Sequence, residues 1–162
     1  MTGVILEAEY TRTVLQPEME ALKRRFFSED PDEPVIFHRK EIVNRLRAFH
    51  VLRDPHLERQ FNAEVMAALE RWDYRVVTVV IDKKVHRDQY RVWRYQPYHY
   101  CLAVLLERYV LFLQRRADLG DVMVESRGGT EGRRLADSYQ RLFERGTDYV
   151  PQSEWQRSYT GA

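Results

Sequence analysis

An α/β domain built on a mostly parallel sheet is the fold class the sequence predicts, and three observations predict it. RVVTVVID, residues 75–82, is a nearly continuous run of β-branched apolar residues. That is the pattern of a strand buried on both faces beneath helices. On either side, apolar residues recur at three- and four-residue spacing, which marks amphipathic helices. Strand and helix candidates then alternate as β-α-β-α-β-α-β-α, with no internal repeat, low-complexity segment or linker. This is the order of a sheet with helices packed on it.

The elements follow in chain order. GVILE, 3–7, reads as a short buried strand. Gln16-Pro17 opens a helix, with proline at a tolerated first-turn position. Leu15, Met19, Leu22 and Phe26 share one face of it. SEDPDEP, 28–34, is an acidic loop, and PVIFH, 34–38, is a second strand candidate. Residues 39–53 are basic and weakly periodic, which predicts a loop holding at most a helical turn. Asp54-Pro55 is a strong helix start, an aspartate cap followed by proline at the first position. Leu57, Phe61, Val65, Leu69 and Trp72 line that helix. After RVVTVVID and a polar, aromatic stretch, a long helix is expected over 98–116, with Leu102, Leu105, Leu106, Tyr109, Val110 and Leu113 inward. DVMVE, 121–125, is the last strand candidate. A final helix starts at Thr130, carries Leu135, Tyr139, Leu142 and Phe143 on one side, and stops at Gly146. The expected organisation is a single domain, 1–150, with a polar tail, 151–162.

Composition narrows the function classes. The chain has 162 residues, 44% of them hydrophobic and 12% aromatic, which excludes a disordered chain. Net charge is +1 from 26 basic and 25 acidic residues, so overall charge demands no polyanion partner. Nucleic-acid binding would need a local basic patch, and Arg and Lys do cluster at 23–25, 39–47, 83–94 and 127–134. Cys101 is the only cysteine, which excludes an intrachain disulfide and a thiolate-rich metal site. The apolar stretches are too short to cross a bilayer, and MTGVILEAEY lacks the flank and apolar core of a signal peptide. A cytoplasmic protein with no membrane partner is the expectation.

The chain has no glycine-rich phosphate loop, no dinucleotide fingerprint and no nucleophile-elbow serine. Its five histidines are scattered. Cys101 reads as a small core residue, with a helix-activated nucleophile as the alternative. Two acids at strand ends carry more. Asp82 closes VVTVVID and Glu125 closes VMVE. Ligands of open parallel sheets bind beyond the carboxyl ends of strands. Paired carboxylates there would suit magnesium or manganese and metal-assisted phosphodiester chemistry. A solvated acid at each strand end is the simpler reading. His38 follows a buried run and could be a proton shuttle or a ligand, or simply a partly buried, hydrogen-bonded residue. Arg39, Lys40, Arg127, Arg133 and Arg134 could face phosphates or simply water. YRVWRYQPYHY, 90–100, interleaves aromatics with Arg91 and Arg94, as a base-stacking surface or a core cap would.

Several segments taken together resemble a known family. FFSEDPDEPVIFHRKEIVNR, RVVTVVIDKKVH, WRYQPYHYCLAVLLERYVLFLQRR and GDVMVESRGGTEGRRLADSYQRLFERGTDYV are similar, in this order, to the bacterial domain-of-unknown-function 3800 family. The resemblance implies a ribonuclease-H-like three-layer arrangement, a mixed sheet with helices packed on it. It also implies a carboxylate site in which Glu125 and Asp82 hold magnesium or manganese, with His38 matching a family histidine. Members usually begin with an Asp-Glu-Ser-Gly strand and continue into a helix bearing an Ala-Asp pair, and neither segment is in this sequence. The implied protein is therefore truncated at both ends and lacks the usual first strand. Two expected consequences follow. It is a degenerate metal-dependent nuclease or phosphotransfer domain with weak or no catalysis, the alternative being a non-catalytic interaction or nucleic-acid-binding module. Its unpaired sheet edges would recruit a homo-oligomer.

Overall fold

Among the described residues helices predominate, and the sheet has two strands. The structure is a computed structural model and describes residues 1–27, 34–89, 97–124 and 129–159. Strand β1 (Thr2–Ile5) pairs antiparallel with β2 (Arg75–Thr78), with Thr2 opposite Thr78, Val4 opposite Val76 and Ile5 opposite Arg75. This corrects the expected fold. Neither a mostly parallel α/β sheet nor a ribonuclease-H-like three-layer arrangement is present among the described residues.

Each expected strand fails or shrinks for a physical reason. RVVTVVID forms a ladder only over Arg75–Thr78, and Val79 adds two backbone bonds with Met1, each 2.8 Å. Beyond that no described strand lies alongside, and Val80 is 86% exposed. The run is not buried on both faces, since Val76 is 53% and its partner Val4 57% exposed. β-branched sequence favours an extended chain, but it supplies no partner. PVIFH forms no strand. Val35 and Phe37 instead turn inward onto a hydrophobic cluster while Ile36 faces out. Residues 121–124 of DVMVE form no ladder, and Met123 is 97% exposed. Glu125 lies outside the described residues.

The helices are more numerous than expected. α1 (Ala8–Tyr10) leads through a π-helical segment, Thr11–Leu15, into α2 (Gln16–Phe26). The helix thus begins eight residues before Gln16. Pro17 has no N–H to give, and the wider turn just before it, closed by Gln16 N–H donating to the Thr11 carbonyl, precedes the missing bond. The expected loop at 39–53 holds α3 (Arg39–Asn44) and a 3₁₀ segment, Arg47–Arg53. α4 (Pro55–Arg71) starts as predicted: Asp54 accepts from the His56 and Leu57 amides at 2.7 and 3.4 Å. α5 (Lys83–Gln89), α6 (Pro97–Arg116), α7 (Gly129–Arg145) and α8 (Gln152–Ser158) complete the chain.

The fold divides into two compact units. One comprises Met1–Ile5 with Arg75–Ala162, the other Leu6–Tyr74. The Leu6–Tyr74 unit is organised around phenylalanines. Phe27, Phe37, Phe49 and Phe61 meet edge to face, with Phe27 and Phe49 centroids 4.9 Å apart. Leu22, Leu52, Ala68 and Trp72 close around them. In the other unit α6, α7 and α8 bury Leu106, Val110, Leu142 and Val150 around Trp155, which is 0% exposed. The two-stranded sheet lies on α6: Gly3 abuts Leu105, and the Arg75 guanidinium sits 5.3 Å from the Phe112 ring centre.

Candidate nucleic-acid interface

α7 is strongly amphipathic, and its polar side carries four exposed arginines together with the exposed acids Asp137 and Glu144. Leu135, Tyr139, Leu142 and Phe143 pack inward. Arg134, Arg141 and Arg145 stand at i, i+7 and i+11, and all are exposed. At about 100° per residue these three positions lie within about 40° of one another, over about 16 Å of helix. Arg133 flanks them, also exposed. None of the four is held by a carboxylate in an ion pair among the described residues. The nearby acid Glu144 accepts instead from Gln140 at 2.8 Å. Arg141 also acts on α6: His99 is shifted below the usual histidine range, by burial first and by the Arg141 charge second. A neutral ring there leaves the cationic character of this surface to the arginines.

Asp82 does not stand at a strand end. It caps α5, with Oδ1 accepting from the Lys84 amide at 2.8 Å and the Val85 amide at 3.1 Å. Its backbone carbonyl takes the His86 amide. An N-cap carboxylate is a sufficient reason for an aspartate here. No group of three or more His, Cys, Asp or Glu side chains able to hold a metal ion occurs among the described residues. Glu125 and Arg127 lie outside the described residues.

His38 belongs to the Leu6–Tyr74 unit and stands exposed at the start of α3. Its carbonyl accepts from the Glu41 and Ile42 amides, while its ring makes no capping bond. Arg39 and Lys40 follow it, both exposed. The rest of that basic strip is engaged by acids: Arg45 bonds Glu58 at 2.8 and 3.0 Å, and Arg47 lies 3.6 Å from Glu41. Cys101 is buried in α6. Of the aromatic run 90–100, residues 90–96 lie outside the described ones; Tyr100 packs edge-on to His86, centroids 4.3 Å apart.

Arg133 and Arg134 are candidates from the sequence for either phosphate or water, while Arg141 and Arg145 are not singled out there. The signal was present: the 134, 141, 145 spacing is one helical stripe, legible once 129–145 is taken as a continuous helix. No protein family, curated protein or solved structure matches the chain. No described helix is long and apolar enough to cross a membrane.

Proposed function

We propose that this chain is a nucleic-acid-binding module that does not itself cleave its ligand. The observation that carries the reading is the arginine stripe of α7: Arg134, Arg141 and Arg145 exposed on one face and held by no acid among the described residues. Guanidinium groups present planar donor forks that match phosphate oxygens. A stripe about 16 Å long touches several phosphates of one backbone. The helix is held rigidly from behind by Leu142 and its neighbours, so the ligand need not order it. Cleavage is left out because Asp82 serves as a helix cap and has no metal-binding company among the described residues.

The test is fluorescence anisotropy with labelled single- and double-stranded DNA and RNA across a salt series. Binding to duplex is expected to weaken with a log–log slope of about −3, the value for three neutralised phosphates. Charge reversal of Arg134 and Arg141 to Glu is expected to weaken binding at least about tenfold at low salt, with circular dichroism unchanged. Nucleic acid should remain intact in about 5 mM magnesium or manganese, divalent ions that phosphodiester hydrolases use. Absence of binding at low salt, or binding indifferent to both reversals, overturns the reading. Metal-dependent cleavage lost in Glu125→Gln would restore the nuclease alternative.

A further inference from the structure

Two helices of the Leu6–Tyr74 unit carry the same spacing. α2 reads EMEALKRR from Glu18 to Arg25, and α4 reads EVMAALER from Glu64 to Arg71. In each, alanine follows glutamate by three residues and arginine follows by seven, so all three share a face. The helices run antiparallel, because Glu18 meets Arg71 at 2.5 Å and Arg25 meets Glu64 at 2.9 Å. Each glutamate of one pattern thus takes the arginine of the other. Trp72 strengthens one rung by donating its indole N–H to Glu18 at 2.8 Å. Between the rungs lies an open groove of about 400 Å³, edged by Ala21 and Ala67, both exposed. Alanines leave the helix backbones uncovered and permit close approach of further helices.

We propose that this groove seats a second copy of the chain, α2 and α4 packing against their symmetry mates as a four-helix contact. Charge complementarity singles out that occupant. A closed dimer has a two-fold axis, which for two stacked helix pairs lies in the plane between them. If the axis runs along the helices, α2 lies over the partner's α4 and its Glu18 faces an arginine equivalent to Arg71. If it runs across them, α2 lies over an antiparallel copy of itself and Glu18 faces the equivalent of Arg25. Glu64 and Arg71 follow the same rule. Either way the four charges of each layer alternate in sign. An unrelated helix would need this same spacing to match, whereas a second copy carries it automatically. The rungs do not exhaust their groups: side-chain exposure is 61% for Arg71, 65% for Arg25, 38% for Glu18 and 30% for Glu64. An arginine has five donors and a carboxylate accepts about four bonds, so both can serve a second partner. The inference does not depend on the nucleic-acid reading, which rests on the other unit.

Sedimentation equilibrium of the full chain tests it. A monomer–dimer equilibrium is expected with Kd at or below about 10 µM. Ala21→Glu combined with Ala67→Glu places like charges in the groove at two exposed positions, and should weaken the dimer at least about tenfold with helical circular dichroism retained. Should that variant unfold, the wild-type protein still decides the matter, since its dimer should weaken on going from about 0.1 to 1 M salt, where screening shortens to about 3 Å. Val76→Lys, on the exposed sheet face, should leave the dimer intact. A wild-type monomer at about 100 µM, a dimer indifferent to both the groove substitutions and salt, or a dimer broken by Val76→Lys overturns the proposal.

Discussion

The cores of the two units are closed by different aromatics, and the difference is one of polar atoms. In the Leu6–Tyr74 unit the rings are phenylalanines, meeting edge to face as their quadrupoles favour. The Trp72 indole N–H there is matched by Glu18 at 2.8 Å. In the other unit Tyr109, Tyr139 and Trp155 gather around Tyr159. Trp155 donates to the Val150 carbonyl at 2.9 Å and Tyr109 reaches the Asp121 carbonyl at 3.3 Å. The Tyr159 hydroxyl is buried without a partner among the described residues. One core is built mainly on phenylalanine rings meeting edge to face. The other carries phenols whose ionisation is coupled to folding.

The largest expected effect tests whether the second core is a core at all. Trp155→Ala removes a fully buried side chain and should cost about 3–5 kcal/mol in urea denaturation; a loss under about 1 kcal/mol would mean that α8 is ornamental. Next, the polar contrast can be exchanged between the units. Phe61→Tyr puts an unmatched hydroxyl among phenylalanines and should cost about 1–3 kcal/mol. Tyr159→Phe removes one and should be neutral or stabilising by up to about 1 kcal/mol. If both changes destabilise equally, the contrast between the cores fails.

The same contrast predicts a pH dependence. The Tyr159 hydroxyl is pushed above its ordinary value of 10.0, by burial first, then by Tyr139 and Tyr109; Tyr109 and Tyr139 are pushed up too, chiefly by burial. A raised folded pKa contributes stability that is fully present below the unfolded value and is lost as pH rises past it. Melting temperature should therefore fall above pH 10, and Tyr159→Phe should make that fall shallower. The smallest expected effect concerns helix ends. α6 and α7 both end in a left-handed residue, Ala117 at φ 52° and Gly146 at φ 69°. At Ala117 the chain closes with Ala117 N–H donating to the Gln114 carbonyl and Asp118 N–H to the Leu113 carbonyl, the pattern that glycine usually serves. Ala117→Gly should raise stability by about 0.5–1 kcal/mol. At Gly146 the reverse change would drive a Cβ to 2.6 Å from the Val150 carbonyl oxygen.

What the sequence disclosed was local. Asp54-Pro55 and the Phe61, Val65, Trp72 spacing define α4 because caps and helical faces are written within a few residues. Strand pairing is not local, and the apolar runs at 75–82, 34–38 and 121–124 do not say what lies beside them. One found a four-residue partner, one packed onto phenylalanines, and one found no ladder. α3 was hidden because it is short and ends at Arg45 with φ 51°, a left-handed turn that no glycine announces. Of the expected site residues, Asp82 took a capping role that spacing could not reveal, since the helix it starts had been read as a polar stretch.

The register of the small sheet has a topological consequence. Ile5 and Arg75 are directly paired, and everything from Leu6 to Tyr74 leaves and returns at that point. In connectivity, β1 and β2 form a hairpin whose turn has been replaced by an entire unit. A segment with neighbouring ends is the kind a chain can gain or lose as one piece, because excision requires only that a short turn bridge the gap. Removing Leu6–Tyr74 would leave β1 and β2 needing only a short turn to become an ordinary hairpin.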